Sequence, residues 1–280
     1  MRHCSGWRIF GAIANNPNKR GKTKMKTLSK TEIAIANSKT VFSNRVKQAD
    51  RETMGKTELL IKRSTNVKLG KKITKGKFTG FPIYTLTLEE RATCPRSCAH
   101  WETCYGNNMM YAYRYQAGPA LEAMLETELA ELQRKHPAGF MVRLHILGDF
   151  YSVSYVAKWA AWLGKFPALH IYGYTANQPN ADDKQEREIG QAILSLRTAC
   201  PDRFAIRFSG NFDDATWTAN SYDDQRAVAA VQAKQAFLCP TQISKATGKY
   251  AKKDEETLVP DCGACGLCWT AKKPVVFITH

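Results

Sequence analysis

Three cysteines lie close together on one short stretch of the chain. Cys94, Cys98 and Cys104 fall within eleven residues, in the sequence T-C-P-R-S-C-A-H-W-E-T-C-Y-G. The intervals of three and then five residues differ from the C-x2-4-C pairs that are usual in zinc knuckles. Three thiolates from one loop suit an iron–sulfur cluster that keeps one iron without a protein ligand. The spacing therefore predicts a metal centre on this loop.

A second set of cysteines lies near the C-terminus. Cys262, Cys265 and Cys268 stand in the sequence D-C-G-A-C-G-L-C-W, which has the C-x2-C-x2-C spacing of runs that ligate a four-iron cluster. Cys239 is the candidate fourth ligand. Zinc is the competing metal, although a zinc ribbon usually shows two separated C-x2-C pairs. We therefore expect a second metal site, either a second 4Fe-4S cluster or zinc.

The elements around the first loop alternate between strand and helix patterns. Residues 81–88 predict a strand that ends just before the loop, and residues 111–135 predict a long amphipathic helix after it. Further strands are predicted at 140–147, 169–174, 203–208 and 274–279, with helices at 153–165, 182–198 and 223–237 between them. This order predicts a parallel sheet, either doubly wound or closed into a complete or partial barrel. The thiols would then lie at the carboxyl end of a strand, where such folds place their sites.

The positive charge is concentrated in the N-terminal part of the chain. Residues 1–80 carry 20 Lys and Arg against 4 Asp and Glu, a balance of +16, and the other residues carry 21 of each sign. We therefore expect a basic arm at 1–80, an α/β core at 81–235 and a metal-binding segment at 236–280. The arm favours a polyanion partner, most simply DNA, and the competing interpretation is a solubilising tail. No apolar run of membrane-spanning length and no secretory signal are visible, so we expect a cytoplasmic protein without a membrane partner.

One arrangement of these features resembles a known enzyme superfamily. A strand, a three-cysteine loop, a helix and a second strand ending in Gly148-Asp149-Phe150 resemble the first half of a radical S-adenosylmethionine (SAM) enzyme, over residues 80–215. The pieces N-V-K-L-G, T-C-P-R-S-C and C-Y-G-N-N-M are also similar to uncharacterised phage and prophage proteins of this type. The usual radical SAM spacing is C-x3-C-x2-C with an aromatic residue before the third cysteine. Here Tyr105 follows the third cysteine, and the acid is Asp149 where the superfamily motif has Glu.

The resemblance implies a fold, cofactors and a site. The fold would be a partial (β/α) barrel of the radical SAM kind, with the basic arm before it and the cysteine segment after it. The loop thiolates would hold a 4Fe-4S cluster, whose open iron chelates SAM and yields a 5′-deoxyadenosyl radical after reduction by a donor such as flavodoxin or ferredoxin. The implied SAM contacts are Gly148, Asp149 and Phe150 at the amino group, and Arg207, Ser209 and Asn211 at the ribose or carboxylate.

The substrate expectation joins the basic arm to the phage-like resemblance. Together they suggest a nucleobase, such as a thymine adduct of phage DNA that is rearranged in the host cytoplasm by an isomerase-type reaction. Two alternatives stay open: a non-catalytic nucleic-acid-binding protein with two structural metal sites, and a radical enzyme that acts on a peptide or small molecule. No catalytic acid or base is assigned, because His100, Tyr105, His145 and Tyr151 suit structural positions equally well.

Overall fold

The computed structural model of the protein describes residues 40–55, 57–62, 68–210, 218–221, 225–240 and 261–277. Residues 1–39 of the expected basic arm lie outside the described residues. The strands are β1 (Val46–Lys47), β2 (Ile83–Thr85), β3 (Arg114–Tyr115), β4 (Phe140–Leu144), β5 (Leu169–Thr175), β6 (Phe204–Ser209), β7 (Thr218–Ser221), β8 (Phe237–Leu238) and β9 (Val275–Phe277). The helices are α1 (Arg51–Met54), α2 (Glu90–Thr93), α3 (Pro119–Lys135), α4 (Val153–Lys165), α5 (Lys184–Ala199), α6 (Gln225–Gln232), α7 (Cys262–Cys265) and α8 (Leu267–Thr270).

Seven strands form one parallel sheet in the order β2-β4-β5-β6-β7-β9-β8, and β1 pairs with β3 in a separate two-stranded sheet. The predicted parallel sheet is thus confirmed. It includes two short strands that the sequence did not signal, β7 and β8. Within the described part of the chain no pairing joins β2 to β8, so the sheet is open and the complete-barrel alternative is wrong. The partial barrel of the radical SAM kind stays a prediction.

The long helices lie on one face of the sheet. Strands β2, β4, β5 and β6 are neighbours in chain order, and right-handed crossovers between such strands place every connecting helix on the same side. The buried residues agree, because Val142, Ile171 and Phe204 pack in one cluster with apolar residues of α3, α4 and α5. A doubly wound sheet needs helices on both faces. That alternative is therefore wrong for these four strands.

Local sequence signals explain where these helices begin. The Ser152 hydroxyl caps α4 by accepting from the Tyr155 N–H at 3.1 Å, and this helix has the predicted bounds. Helix α3 begins later than predicted because Gly118 has φ +136° and Pro119 takes the first helical position. The residues before Gly118 instead supply β3, which pairs with β1 from the middle of the arm.

The opposite face of the sheet is covered by two segments that flank the core in sequence. Ile83, Met141 and Tyr172 point to this face and pack against Ile73 and Trp269. Ile73 belongs to the stretch before β2, whereas Trp269 belongs to the C-terminal cysteine segment. That segment also supplies β9 to the sheet, so it is integrated into the core and not appended to it.

Candidate functional site

The three-cysteine loop follows β2 and the short helix α2, on the carboxyl side of the sheet. Cys94 is the residue that ends α2, and its N–H bonds to the Glu90 carbonyl at 3.0 Å. Burial raises the pKa of the Cys94 thiol well above its usual range, and nearby Asp149, Cys98 and Cys104 raise it further. Burial also raises the pKa of Cys98 and of Cys104. The three thiols thus lie near enough to perturb one another, in a setting where thiolates need a compensating positive charge, such as a metal.

A buried ion pair holds the far end of this loop. Arg114 Nε donates to Glu90 Oε2 at 3.0 Å, and neither side chain has more than 2% of its surface exposed. The same guanidinium donates to the carbonyls of Gly106, Ala112 and Met109 at 2.7, 2.8 and 3.1 Å. The turn that follows Cys104 is therefore fixed by one arginine from inside the protein.

A second arginine holds the middle of the loop. Arg91 donates to the Trp101 carbonyl and, at 3.1 Å, to the Asn107 side chain. The guanidinium carbons of Arg91 and Arg96 also lie 4.8 and 4.6 Å from the centre of the Trp101 ring. Trp101 stands between Cys98 and Cys104, so these contacts fix the spacing of the second and third thiols.

Gly148 and Asp149 lie directly against this loop. The Asp149 N–H donates to Thr93 Oγ1 at 3.2 Å, and a Cβ added to Gly148 would meet that oxygen at 2.6 Å. Gly148 also has φ +84°, which favours glycine. The Asp149 carboxylate accepts from the N–H groups of Phe150 and Ala176, both at 2.7 Å. Burial raises the pKa of this carboxyl group to about 6, although those hydrogen bonds oppose the shift.

The other expected SAM contacts have different surroundings. The Phe150 side chain is fully buried in the core, its ring centre 5.0 Å from that of His145, so it can offer a cofactor only its backbone. Ser209 ends β6, and its carbonyl accepts from the Gln178 side chain. Asn211 lies outside the described residues.

Arg207 has a structural role that the sequence analysis did not foresee. It is fully buried on the face of the sheet that carries the C-terminal segment. Its guanidinium donates to the carbonyls of Cys268, Lys273, Leu267 and Ala271 at 2.9, 3.1, 3.1 and 2.7 Å. These bonds hold the second cysteine set against β6, and we correct the expected role of Arg207 at the ribose or carboxylate accordingly.

The four cysteines of the second set come together in space. Cys239, Cys262, Cys265 and Cys268 line one small cavity with Leu267 and Trp269. Burial raises the pKa of the Cys262 thiol well above its usual range, and the Cys268, Cys239 and Cys265 thiols add to the shift. The predicted grouping of Cys239 with the three later cysteines is therefore present in the structure.

The lysine-rich stretch before β2 packs on this second set. The Cys262 N–H donates to the Lys68 carbonyl at 2.7 Å, and the Thr74 N–H donates to the Gly263 carbonyl at 3.0 Å. A Cβ on Gly263 would lie 2.2 Å from the Lys72 carbonyl oxygen, so only glycine permits this close approach. The backbone of this stretch therefore helps to hold the C-terminal cysteines in place.

Arg143 connects the surroundings of the two cysteine sets. It lies on β4, and its guanidinium carbon is 4.4 Å from the Tyr174 ring centre and 5.5 Å from that of Tyr172. Its positive charge lowers the pKa of Cys262 in the second set and that of the Tyr105 hydroxyl beside Cys104 in the first. Burial of these two groups raises both pKa values more strongly, although the Tyr105 residue as a whole is 47% exposed. Sequence reasoning missed this residue, because an isolated arginine in a strand pattern carries no signal.

The donor chemistry of both sets fits a thiolate-bound metal group. Iron–sulfur clusters and structural zinc sites both use cysteine thiolates. Among the described residues, no three His, Cys, Asp or Glu side chains converge in an arrangement that would hold a single metal ion. In a four-iron cluster each thiolate binds a different iron, so its ligands surround the group without meeting at one point. The choice between iron–sulfur and zinc stays a prediction from the spacing.

Comparison with known proteins identifies the family. The profile of a family described as "GP88: Gene product 88" matches residues 58–271, about three quarters of the chain. The chain belongs to the gene product 88 family. The matched region contains all seven cysteines of the two sets and leaves out residues 1–57 of the basic arm.

Two curated relatives come from mycobacteriophages. The Gene 88 protein of Mycobacterium phage D29 is 27% identical over 147 residues, and that of Mycobacterium phage L5 is 28% identical over 148 residues. Each alignment covers 52% of this chain and 57% of the relative, so the chain spans just over half the length of the curated relatives it matches. No solved structure matches the chain. None of the described helices is both long and apolar enough to cross a membrane.

Proposed function

We propose that this protein is a radical SAM enzyme that holds a 4Fe-4S cluster on Cys94, Cys98 and Cys104. The observation that carries the proposal is that Cys98, Cys104 and Asp149 lie near enough to Cys94 to raise its pKa, beside a parallel sheet whose long helices share one face. Three thiolate ligands leave one iron of such a cluster open to SAM. When bound, the cluster and SAM supply one-electron chemistry that abstracts hydrogen from an unactivated carbon.

The described residues support the proposal because they hold the cysteine loop in a fixed conformation. Arg114 and Arg91 hold the turns that set the spacing of Cys98 and Cys104. Gly148 lets the segment after β4 approach the loop, and Asp149 brings a buried carboxylate near it. In the proposed enzyme, Gly148, Asp149 and the backbone of Phe150 contact SAM, together with Ser209 at the end of β6 and Asn211 two residues later.

The proposed substrate is a base of nucleic acid, such as a modified thymine of phage DNA. Two observations favour it: the excess charge of residues 1–80, and the phage origin of the curated relatives. The first described residue of the arm, Thr40, is also attached next to the cysteine loop. Thr40 Oγ1 donates to Glu90 Oε1 at 2.6 Å. Glu90 is also the ion-pair partner of Arg114, which holds the turn after Cys104. A polyanion bound to the arm would therefore be held near the proposed cluster.

A non-catalytic nucleic-acid-binding protein is the second candidate. The observation that favours it is the set of hydrogen bonds around the second cysteine set. There Arg207 donates to the Cys268 carbonyl and the Lys68 carbonyl accepts from the Cys262 N–H, so separate parts of the chain are held together. A metal at this place would act as a structural staple. In the enzyme proposal the same four-thiolate site relays electrons or stabilises the fold, since complete protein ligation leaves no position for SAM.

The test is anaerobic purification followed by iron, sulfide and zinc counts and a SAM-cleavage assay with dithionite or a flavodoxin or ferredoxin donor. We expect a brown protein that releases 5′-deoxyadenosine. Cys98→Ala should abolish this cleavage, whereas Cys265→Ala, the matched change in the second set, should retain most of it. A colourless protein with zinc and no iron would exclude the enzyme and favour the structural candidate. Full cleavage by the Cys98→Ala variant would show that the cluster is assigned to the wrong cysteines.

A further inference from the structure

Exposed aromatic and basic side chains stand together beside the three-cysteine loop. Tyr111 and Tyr113 are 79% and 40% exposed. The Arg45 guanidinium carbon lies 6.0 Å from the ring centre of Tyr111 and 5.6 Å from that of Tyr113, and Lys47 Nζ lies 5.6 Å from the Tyr113 ring. We call these four residues the aromatic–basic patch. The patch leaves aromatic surface in water next to two cations.

The patch has an ordered backbone support. Lys47 lies on β1, whose pairing with β3 sets Lys47 opposite Tyr115, and the Lys47 carbonyl accepts from the Gln116 N–H at 2.9 Å. On β3, Arg114 forms the buried ion pair with Glu90 that holds the far end of the cysteine loop. The rings and cations are thus presented by the same elements that fix the loop after Cys104.

The two cations of the patch are not neutralised by the described acidic residues. Neither Arg45 nor Lys47 forms an ion pair with a carboxylate among the residues that the structure describes. Unneutralised cations beside exposed rings suit the binding of single-stranded nucleic acid. Its phosphates bind positive charges, and its exposed base faces stack on aromatic rings. In a duplex the base faces are already stacked on one another. The rings of the patch therefore favour a single strand or a base taken out of the stack.

We propose that the aromatic–basic patch binds single-stranded nucleic acid, with a base stacked on Tyr111 and phosphates contacting Arg45 and Lys47. The inference deepens the proposed function and rests on its nucleic-acid substrate. It makes a specific addition, because the charge of the arm alone does not distinguish a duplex from a single strand. The patch places the strand next to the loop of Cys94, Cys98 and Cys104.

The stacking part of the proposal is tested with the full-length, metal-loaded protein. Fluorescence anisotropy measures its binding to a labelled oligothymidine strand and to a duplex of the same length, over a series of salt concentrations. Tyr111→Ala should weaken binding of the single strand by about tenfold, which is about 1.4 kcal/mol, because one base loses its stacking partner. Tyr111→Phe keeps the ring and should bind as the parent does. Duplex binding should change little in either variant.

The phosphate part is tested by the salt dependence of binding. Arg45→Ala combined with Lys47→Ala should lower the logarithmic salt slope for the single strand by about 1.4, since each phosphate contact contributes about 0.7. Lys165→Ala is the matched control, because Lys165 is an exposed lysine of α4 that is already paired with Glu126 at 2.5 Å. The control should leave the slope unchanged. Melting temperature and metal content show whether each variant keeps its fold.

The outcomes separate this inference from the proposed enzyme. If folded Tyr111→Ala binds the single strand as the parent does, or loses duplex binding equally, the inference is overturned, whether or not SAM is cleaved. An unchanged salt slope in the double variant also overturns it. If the parent cleaves no SAM but the Tyr111→Ala and Tyr111→Phe variants differ as expected, the patch stands and the radical SAM proposal fails.

Discussion

The hydroxyl oxygen of Tyr174 lies 2.7 Å from the sulfur of Cys268. Tyr174 stands on β5, the strand next to β4 in the sheet, and Cys268 lies on α8 in the C-terminal segment. A residue of the core thus contacts a thiol that is 94 residues away in the sequence. A hydroxyl that donates to a metal-bound sulfur stabilises the more negative, reduced state of an iron–sulfur cluster.

For the proposed 4Fe-4S cluster on the second cysteine set, we predict that Tyr174→Phe lowers the reduction potential. Loss of one hydrogen bond to the sulfur should shift the potential by about 50 mV, corresponding to about 1 kcal/mol. The measurement is a redox titration followed by electron paramagnetic resonance. Tyr172→Phe is the control, because the buried Tyr172 hydroxyl has no hydrogen-bond partner in the described part of the chain. Equal shifts in both variants would contradict a specific role of the Tyr174 hydroxyl.

The second prediction concerns the buried ion pair between Arg114 and Glu90, which holds the far end of the cysteine loop. Arg114→Met leaves Glu90 buried without its partner and should lower the free energy of unfolding by about 3–5 kcal/mol. Metal should be lost from the first site before the second, because Arg114 holds the turn after Cys104. Chemical denaturation and metal counts measure both effects. Lys165→Met breaks an exposed pair and should cost less than about 1 kcal/mol, so equal losses in the two variants would refute the argument.

The third prediction concerns the anchor of the C-terminal segment. Arg207→Met removes the donor to four carbonyls of that segment, which we expect to release metal from the second site while the first retains it. Site-resolved spectra and metal counts give the result. Arg203→Met is the matched control, since Arg203 also bonds to several backbone carbonyls, but on the helical side of the sheet, such as that of Leu163 at 2.7 Å. The prediction fails if both variants release the same metal.

The fourth prediction is a pH dependence of stability. The pKa of His170 is lowered to about 4, chiefly by burial and in smaller part by Arg203 and Lys77, while the Ala168 carbonyl and Asp202 act in the opposite direction. The unfolded chain therefore binds more protons than the folded one between the two pKa values, so His170 makes the protein less stable as the pH falls below about 6.5.

Replacing His170 by leucine removes this effect. Relative to its His170→Leu variant, the parent should lose about 2 kcal/mol of unfolding free energy between about pH 7 and about pH 5. The ring of His170 packs against Phe78, with 4.7 Å between ring centres, so an apolar replacement suits the site. Denaturant titrations at the two pH values measure the difference. The same pH dependence in parent and variant would contradict the prediction.

The local helices and strands and the metal-binding chemistry of the thiols could be predicted from the sequence. Strand and helix periodicity predicted the bounds of α4 and the alternation that builds the parallel sheet, because these patterns arise from burial of one face of each element. Cysteine spacing predicted that Cys239 joins Cys262, Cys265 and Cys268, since few other uses explain such a run. The short strands β7 and β8 lacked enough residues to show a period.

The tertiary structure decided how these parts meet. Only the packing of the C-terminal segment on the sheet brings Tyr174 to Cys268, sets Arg207 on its four carbonyls and brings Cys262 within the electrostatic influence of Arg143. Likewise, only the pairing of β1 with β3 brings the middle of the arm to the loop and forms the aromatic–basic patch. Such contacts join residues far apart in the chain, and local sequence patterns reflect only the nearest neighbours and the buried face of each element.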